Sequence, residues 1–193
     1  PAPIRTKDLD DIPSPYLNGM MDKFFDGKLS PALQTNRGCP FLCTYCVDGN
    51  SAVNVVNKFS FDRVCSELHY IATHVPASTK SMLISDLNFG MIPRDLDICD
   101  YISKLQNEFD YPKQIHATTG KNSKERIIES IKRLNGALRL WMSVQSMDAD
   151  VLTNIKRQNI SLEHTMSLIP VIKEAKLRTM SEIILGLPGE TFQ

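Results

Sequence analysis

The chain has 193 residues, of which 42% are hydrophobic and 23% charged, with 22 basic side chains against 22 acidic ones. That balance suits one globular domain with a sizeable core and excludes a disordered or fibrous chain. A formal net charge of zero gives no case for bulk nucleic-acid binding or for an acidic membrane surface as partner. No apolar run is long enough to span a membrane.

The segment Pro1-Ala-Pro-Ile-Arg-Thr-Lys lacks the apolar stretch of a signal peptide. Five cysteines, three of them between residues 39 and 46, suit a metal site in a reducing compartment better than a disulfide framework. A cytoplasmic protein is expected. Residues 1–31 carry Pro3, Pro13, Pro15 and Pro31 around a short amphipathic run at 17–25, and read as a lead-in linker.

From residue 32 to 193, short apolar runs alternate with longer helical periodicities. Strands are expected at 33–36, 82–86, 114–119, 138–145 and 179–185. Phe61, Val64, Cys65, Leu68, Ile71 and Ala72 follow helical spacing, as do Leu96, Ile98, Cys99, Ile102 and Leu105. Ile127, Ile128, Ile131 and Leu134 mark a third helix, with Asn135-Gly136 as its stop. Two more helices are expected at 149–156 and 161–176, the second kinked or split by Pro170. Such alternation builds right-handed βα units on a parallel sheet, so the class is α/β with five units visible. The final run from Gly186 reads as a turn with a helix starting at Thr191. A piece cut inside the fifth crossover is expected.

The decisive segment is Gln34-Thr-Asn-Arg-Gly-Cys39-Pro-Phe-Leu-Cys43-Thr-Tyr-Cys46, in the loop after the first strand. Iron–sulfur clusters usually take four cysteine thiolates. Three thiolates spaced C-x3-C-x2-C can wrap a cubane and leave one iron open. An open iron can bind a small molecule through amino and carboxylate groups and pass it one electron. The same thiolates could instead hold a structural zinc in a non-catalytic binding module, with a fourth ligand from Cys65, Cys99 or a histidine.

Cys39, Cys43, Tyr45 and Cys46 match C-x3-C-x-aromatic-C, and here the sequence resembles the radical S-adenosylmethionine (radical SAM) superfamily. The resemblance covers residues 32–193, with Asn36-Arg37-Gly38 and Pro40-Phe41 in keeping. It implies a partial (β/α)6 TIM-like barrel truncated before its sixth unit. It also implies a 4Fe–4S cluster on Cys39, Cys43 and Cys46, S-adenosylmethionine (SAM) chelated by the open iron, and reductive cleavage to a 5′-deoxyadenosyl radical. A flavodoxin or ferredoxin would supply the electron.

In such barrels the working groups gather at the C-terminal ends of the strands. The resemblance assigns Asp86 and Asn88, after the second strand, to the methionine amino group. Trp141, Ser143 and Gln145 share one face of the fourth strand by period two, and Ser143 and Gln145 suit ribose hydroxyls or the methionine carboxylate. Arg157 resembles the arginine that binds that carboxylate, a task its planar fork fits. Glu182 resembles the acidic residue that meets the ribose, Ile184 the residue packed on adenine, and Gly186 allows close backbone approach. On the third strand, Gln114, His116 and Thr118 share a face, and His116 or Thr118 could line a substrate cavity.

The lead-in around Ile12-Pro-Ser-Pro resembles the linker that follows a cobalamin-binding domain in one branch of the superfamily. That branch contains radical methylases, methylthiotransferase-like proteins and ring-forming enzymes. Cobalamin held by a domain not contained in this chain, and a small-molecule or peptide substrate, are what the likeness implies.

Overall fold

Residues 6–191 are described in the computed structural model of the chain. Residues 1–5 of the lead-in, and residues 192–193 of the helix expected from Thr191, lie outside them. The strands are β1 (Ala32–Leu33), β2 (Asn36–Arg37), β3 (Asn57–Lys58), β4 (Ser81–Phe89), β5 (Gln114–Thr119), β6 (Leu140–Trp141) and β7 (Thr179–Met180). The helices are α1 (Phe61–His74), α2 (Asp95–Phe109), α3 (Lys124–Arg133), α4 (Ala149–Asn154) and α5 (Leu162–Glu174). Among the described residues no helix is long and apolar enough to cross a membrane.

β1, β4 and β5 form a parallel sheet in that order, and a parallel bridge from Ile115 to Leu138 carries the wall on toward β6, which pairs with β7. Each parallel strand therefore stands beside its predecessor in the chain. This is a singly wound order, not the reversing order of a doubly wound sheet. Burial alternates as the pleat requires. Met82 and Ile84 of β4 and Ile115 and Ala117 of β5 are buried, while Leu83, Ser85, His116 and Thr118 face the open side. Val64, Leu68 and Ile71 of α1, Ile98 and Ile102 of α2, and Ile127 and Ile131 of α3 join the buried strand residues in one core.

Local chemistry explains the helix ends. Ser60 Oγ accepts from the Arg63 N–H at 3.1 Å, and Ser161 Oγ accepts from the His164 N–H at 3.1 Å. Asn135 and Gly136 take positive φ, and the Gly136 N–H returns to Ile131 O at 3.1 Å, closing α3 as a Schellman-type stop. Pro170 does not split α5, which runs through it as one helix. Pro170 is exposed there, so the one missing N–H leaves its partner carbonyl open to solvent.

The expected strand at 33–36 breaks after Leu33. β2 then pairs antiparallel with β3, a strand that the apolar pattern did not reveal, and the pair closes the base of the cysteine loop. Leu9 and Tyr16 of the lead-in are buried in the main core, and the Ala32 N–H donates to Tyr16 Oη at 3.0 Å.

The break has a physical cause in Asp86, which is 2% exposed. Its Oδ1 accepts from the Thr35 N–H at 2.7 Å and from the Asn36 N–H at 3.3 Å. Its Oδ2 accepts from Asn36 Nδ2 at 2.7 Å and from the Thr35 hydroxyl. Burial pushes the carboxyl up from its ordinary range, and the bonds from Thr35 and Asn36 pull it back in part. Both Asp86 oxygens are thus engaged in clamping the end of β1, and Asp86, unlike Asn88, does not line the cavity beside the cysteine loop. Asp86→Ala is expected to cost on the order of 3 kcal/mol by stranding the buried donors of Thr35 and Asn36. Asp86→Asn, which keeps one acceptor oxygen, is expected to cost less. Urea unfolding of both variants checks this.

Candidate functional site

The cysteine loop is wound tightly enough to need glycine. Gly38 has φ +113°, and a Cβ there would lie 2.3 Å from Val55 O; at Gly49 it would lie 2.0 Å from Cys43 O. The Cys39 N–H donates to Val53 O at 3.1 Å, and the Cys46 N–H to Cys43 O at 3.1 Å. Farther away, the Thr44 N–H donates to Ile155 O at 3.0 Å, tying the loop to the end of α4. Cys39 and Cys43 are buried and Cys46 is partly so, all as free thiols.

A cavity of about 280 Å³ opens beside this loop, at the C-terminal ends of the parallel strands. The loop contributes Cys39, Tyr45 and Cys46, and β4 contributes Asn88. Trp141 lines it from β6, Ser143 and Gln145 from the segment that follows, where the expected strand at 138–145 has already ended, Arg157 from the turn after α4, and Glu182 from beyond β7. Residues spread over more than 140 positions of sequence thus meet in one hollow. Asn88 is 6% exposed, and its Oδ1 has no hydrogen-bond partner, an acceptor waiting for a ligand donor. Ser143 Oγ donates to Glu182 Oε2 at 2.7 Å, across the two strands. Arg157 donates from Nη1 to Tyr45 Oη and from Nε to Asn159 Oδ1, both at 2.8 Å, and from Nη2 to Ser143 O. Burial raises the Tyr45 phenol, which stays protonated there.

Ile184 and Gly186 lie elsewhere. The N–H groups of Val144 and Gln145 both donate to Glu182 O, at 3.2 and 3.0 Å, and Gln145 has φ +65°. That is a bulge, and it breaks the period-two alternation assumed for this pair of strands. Ile184 then packs with Val151, Ile155 and Leu187 behind Tyr45, not on the cavity. The Gly186 N–H turns back to the Glu190 carboxylate within its own loop. His116 lines a separate concave face of about 370 Å³ along β4 and β5, and Thr118 borders both spaces.

Two lysines that the apolar pattern did not mark complete the cavity. Lys124, 4% exposed at the start of α3, donates to Gly120 O and Trp141 O, each at 2.9 Å. Burial pulls its ammonium down to about 8, and the charge of Arg157 adds to the effect. Lys121 donates from Nζ to Cys43 Sγ at 3.3 Å. With Arg157 they set three cations against the carboxylates of Asp48 and Glu182. A cavity so charged favours an anion.

The donor set fits a cubane. Three thiolates come from one loop, amide and ammonium donors point at two of them, and cations surround them. Among the described residues no three His, Cys, Asp or Glu side chains converge on one ion-sized position. Cys99 is buried in the main core of the α/β layers and its thiol is pushed up to about 12; Cys65 on α1 is pushed up to about 11. Neither lines the cavity beside the cysteine loop. Gly49→Ala is expected to force the loop open and raise the alkylation rate of Cys43 on the order of tenfold. Mass-spectrometric mapping of maleimide labelling measures it.

The sequence profile of the Radical SAM superfamily matches residues 33–193. A cobalamin-dependent radical SAM methyltransferase, TokK, from Streptomyces tokunonensis is 35% identical over 99% of this chain, which covers 29% of that protein. A 2-(S-pantetheinyl)-carbapenam-3-carboxylate methyltransferase from Streptantibioticus cattleyicolor is 34% identical over 94% of the chain, covering 28% of its length. The chain thus spans under a third of these two relatives. Among solved structures, the radical S-adenosylmethionine methyltransferase TsrM from Kitasatospora setae superposes with a TM-score of 0.68 at 16% identity, over 88% of this chain and 32% of that one. With the family profile running from the first strand to the last residue, the chain belongs to the radical SAM superfamily.

Proposed function

We propose that this chain is the catalytic core of a radical SAM enzyme, and that the whole protein is a cobalamin-dependent methyltransferase acting on a small molecule. The observation that carries the reading is the cavity in which Cys39 and Cys46 meet Asn88, Ser143, Gln145, Arg157 and Glu182. The two methyltransferases at 34–35% identity support the final reaction. The cobalamin would be held outside this chain.

Cys39, Cys43 and Cys46 would hold the 4Fe–4S cluster. When bound, that cluster supplies the one electron that breaks a C–S bond of SAM and yields a 5′-deoxyadenosyl radical. The protein's own side chains bind and orient the sulfonium amino acid. Asn88 Oδ1 accepts from the α-ammonium, the donor its free lone pairs lack. Arg157 and Lys124 face the carboxylate as cations. Glu182 accepts from the ribose hydroxyls, and Ser143 holds it in place. Gln145 adds an amide at the same rim, and the Tyr45 hydroxyl keeps Arg157 turned into the cavity. A flavodoxin or ferredoxin is the proposed electron donor, in a reducing cytoplasm that keeps the cysteines out of disulfides.

Anaerobic reconstitution of the full-length protein is expected to load about four irons and four sulfides. With reductant and SAM it should release 5′-deoxyadenosine, and with cobalamin and substrate also S-adenosylhomocysteine, the residue of methyl transfer. Zinc in place of iron, or nucleoside release unaltered in a Cys39→Ala, Cys43→Ala, Cys46→Ala triple variant, overturns the reading.

A pH dependence follows from Lys124. Below about pH 8 its ammonium is already present to meet the carboxylate. Above that, binding must take up a proton, so affinity for SAM should fall by up to about tenfold per pH unit. Lys124→Met should lessen this fall, leaving the part that belongs to the ligand's own α-ammonium. Equilibrium dialysis of SAM between pH 7 and 9.5 compares the two proteins.

A further inference from the structure

Two side chains are aimed at the cysteine sulfurs from outside the cysteine loop. Asn88, near the end of β4, donates from Nδ2 to Cys39 Sγ at 3.3 Å. Lys121, in the turn between β5 and α3, donates from Nζ to Cys43 Sγ at 3.3 Å. The Lys121 ammonium also sits 4.8 Å from the centroid of the Phe41 ring, which belongs to the cysteine loop itself. A cation–π contact on one side and a sulfur on the other hold this lysine in place. A lysine reaching for solvent would show neither contact.

We propose that Lys121 and Asn88 set the reduction potential of the cluster, raising it into the range that its electron donor can load. The inference rests on the cluster assigned above to Cys39, Cys43 and Cys46. An N–H donor withdraws electron density from a thiolate, and a fixed positive charge lowers the energy of an added electron. Three thiolates already make the loaded site anionic, and reduction adds one more negative charge with no bond made or broken. The cation therefore favours the reduced state over the oxidised one. Lys121 supplies charge and hydrogen bond together, whereas Asn88 supplies the hydrogen bond alone. Lys121 is thus the stronger of the two positioning residues.

The test is a redox titration of the reconstituted full-length protein without SAM, read from the electron paramagnetic resonance signal of the reduced cluster. Lys121→Met is expected to weaken electron affinity on the order of tenfold, a fall of about 59 mV for a one-electron couple. Asn88→Leu is expected to lower the midpoint by less. Lys121→Arg, which keeps the charge, should stay near wild type. Lys121→Gln, which keeps an N–H but not the charge, should fall between Arg and Met. Iron and sulfide content is measured on every sample. Loaded Gln and Met variants with the wild-type midpoint overturn the proposal, and if Met fails to load, the Gln variant alone decides it. A wild-type protein that binds no iron and sulfide would instead sink the cluster assignment itself.

Discussion

The buried carboxylate of Asp86 is the constraint on which the site depends. It binds two backbone N–H groups and two side-chain donors of Thr35 and Asn36, and so fixes the direction in which the chain leaves β1. The cysteine loop starts three residues after Asn36, and Asn88, which meets Cys39 Sγ, stands two residues after Asp86. One carboxylate thereby sets the distance between the thiolates and the end of β4. A buried charge is costly alone, and the four donors are what make this one tolerable. Arg94 adds to the arrangement by donating from Nη2 to Thr35 O at 3.1 Å.

Charge is distributed across the cavity in a way that a ligand would complete. Lys124 and Arg157 are both buried, and their bonds go to backbone carbonyls and neutral side chains: Gly120 O and Trp141 O for the lysine, Tyr45, Asn159 and Ser143 O for the arginine. Holding two like charges out of water is costly. In the function proposed above, a carboxylate entering between them would recover part of that cost.

The bulge at Gln145 gives the cavity its shape. A regular ladder would have carried Ile184 and Gly186 inward beside Glu182. The doubled bond to Glu182 O instead turns the strand end, so that Glu182 keeps its place and Ile184 moves behind Tyr45. Val151, Ile155 and Leu187 complete that small apolar cluster. It forms a satellite of the main core, supporting the Tyr45–Arg157 contact from the back.

Much of this was legible in the residues alone. The spacing of Cys39, Cys43 and Cys46, the helical repeats around Val64, Ile98 and Ile127, and the alternation at 114–119 are local patterns, determined by bond geometry and burial within a few residues. They suffice for the α/β class and the five units, and the superfamily came from the resemblance that the cysteine motif carries. Only the tertiary structure decided that Asp86 turns to Thr35 and Asn36, that Lys121 and Lys124 reach the cavity, that β2 and β3 close the cysteine loop, and that Ile184 leaves the site. A polar side chain at a strand end chooses among partners 49 to 78 residues away, and a single bulge reverses which face a residue occupies. Neither choice leaves a periodic trace in the sequence, because both are made by elements that become neighbours only when the sheet assembles.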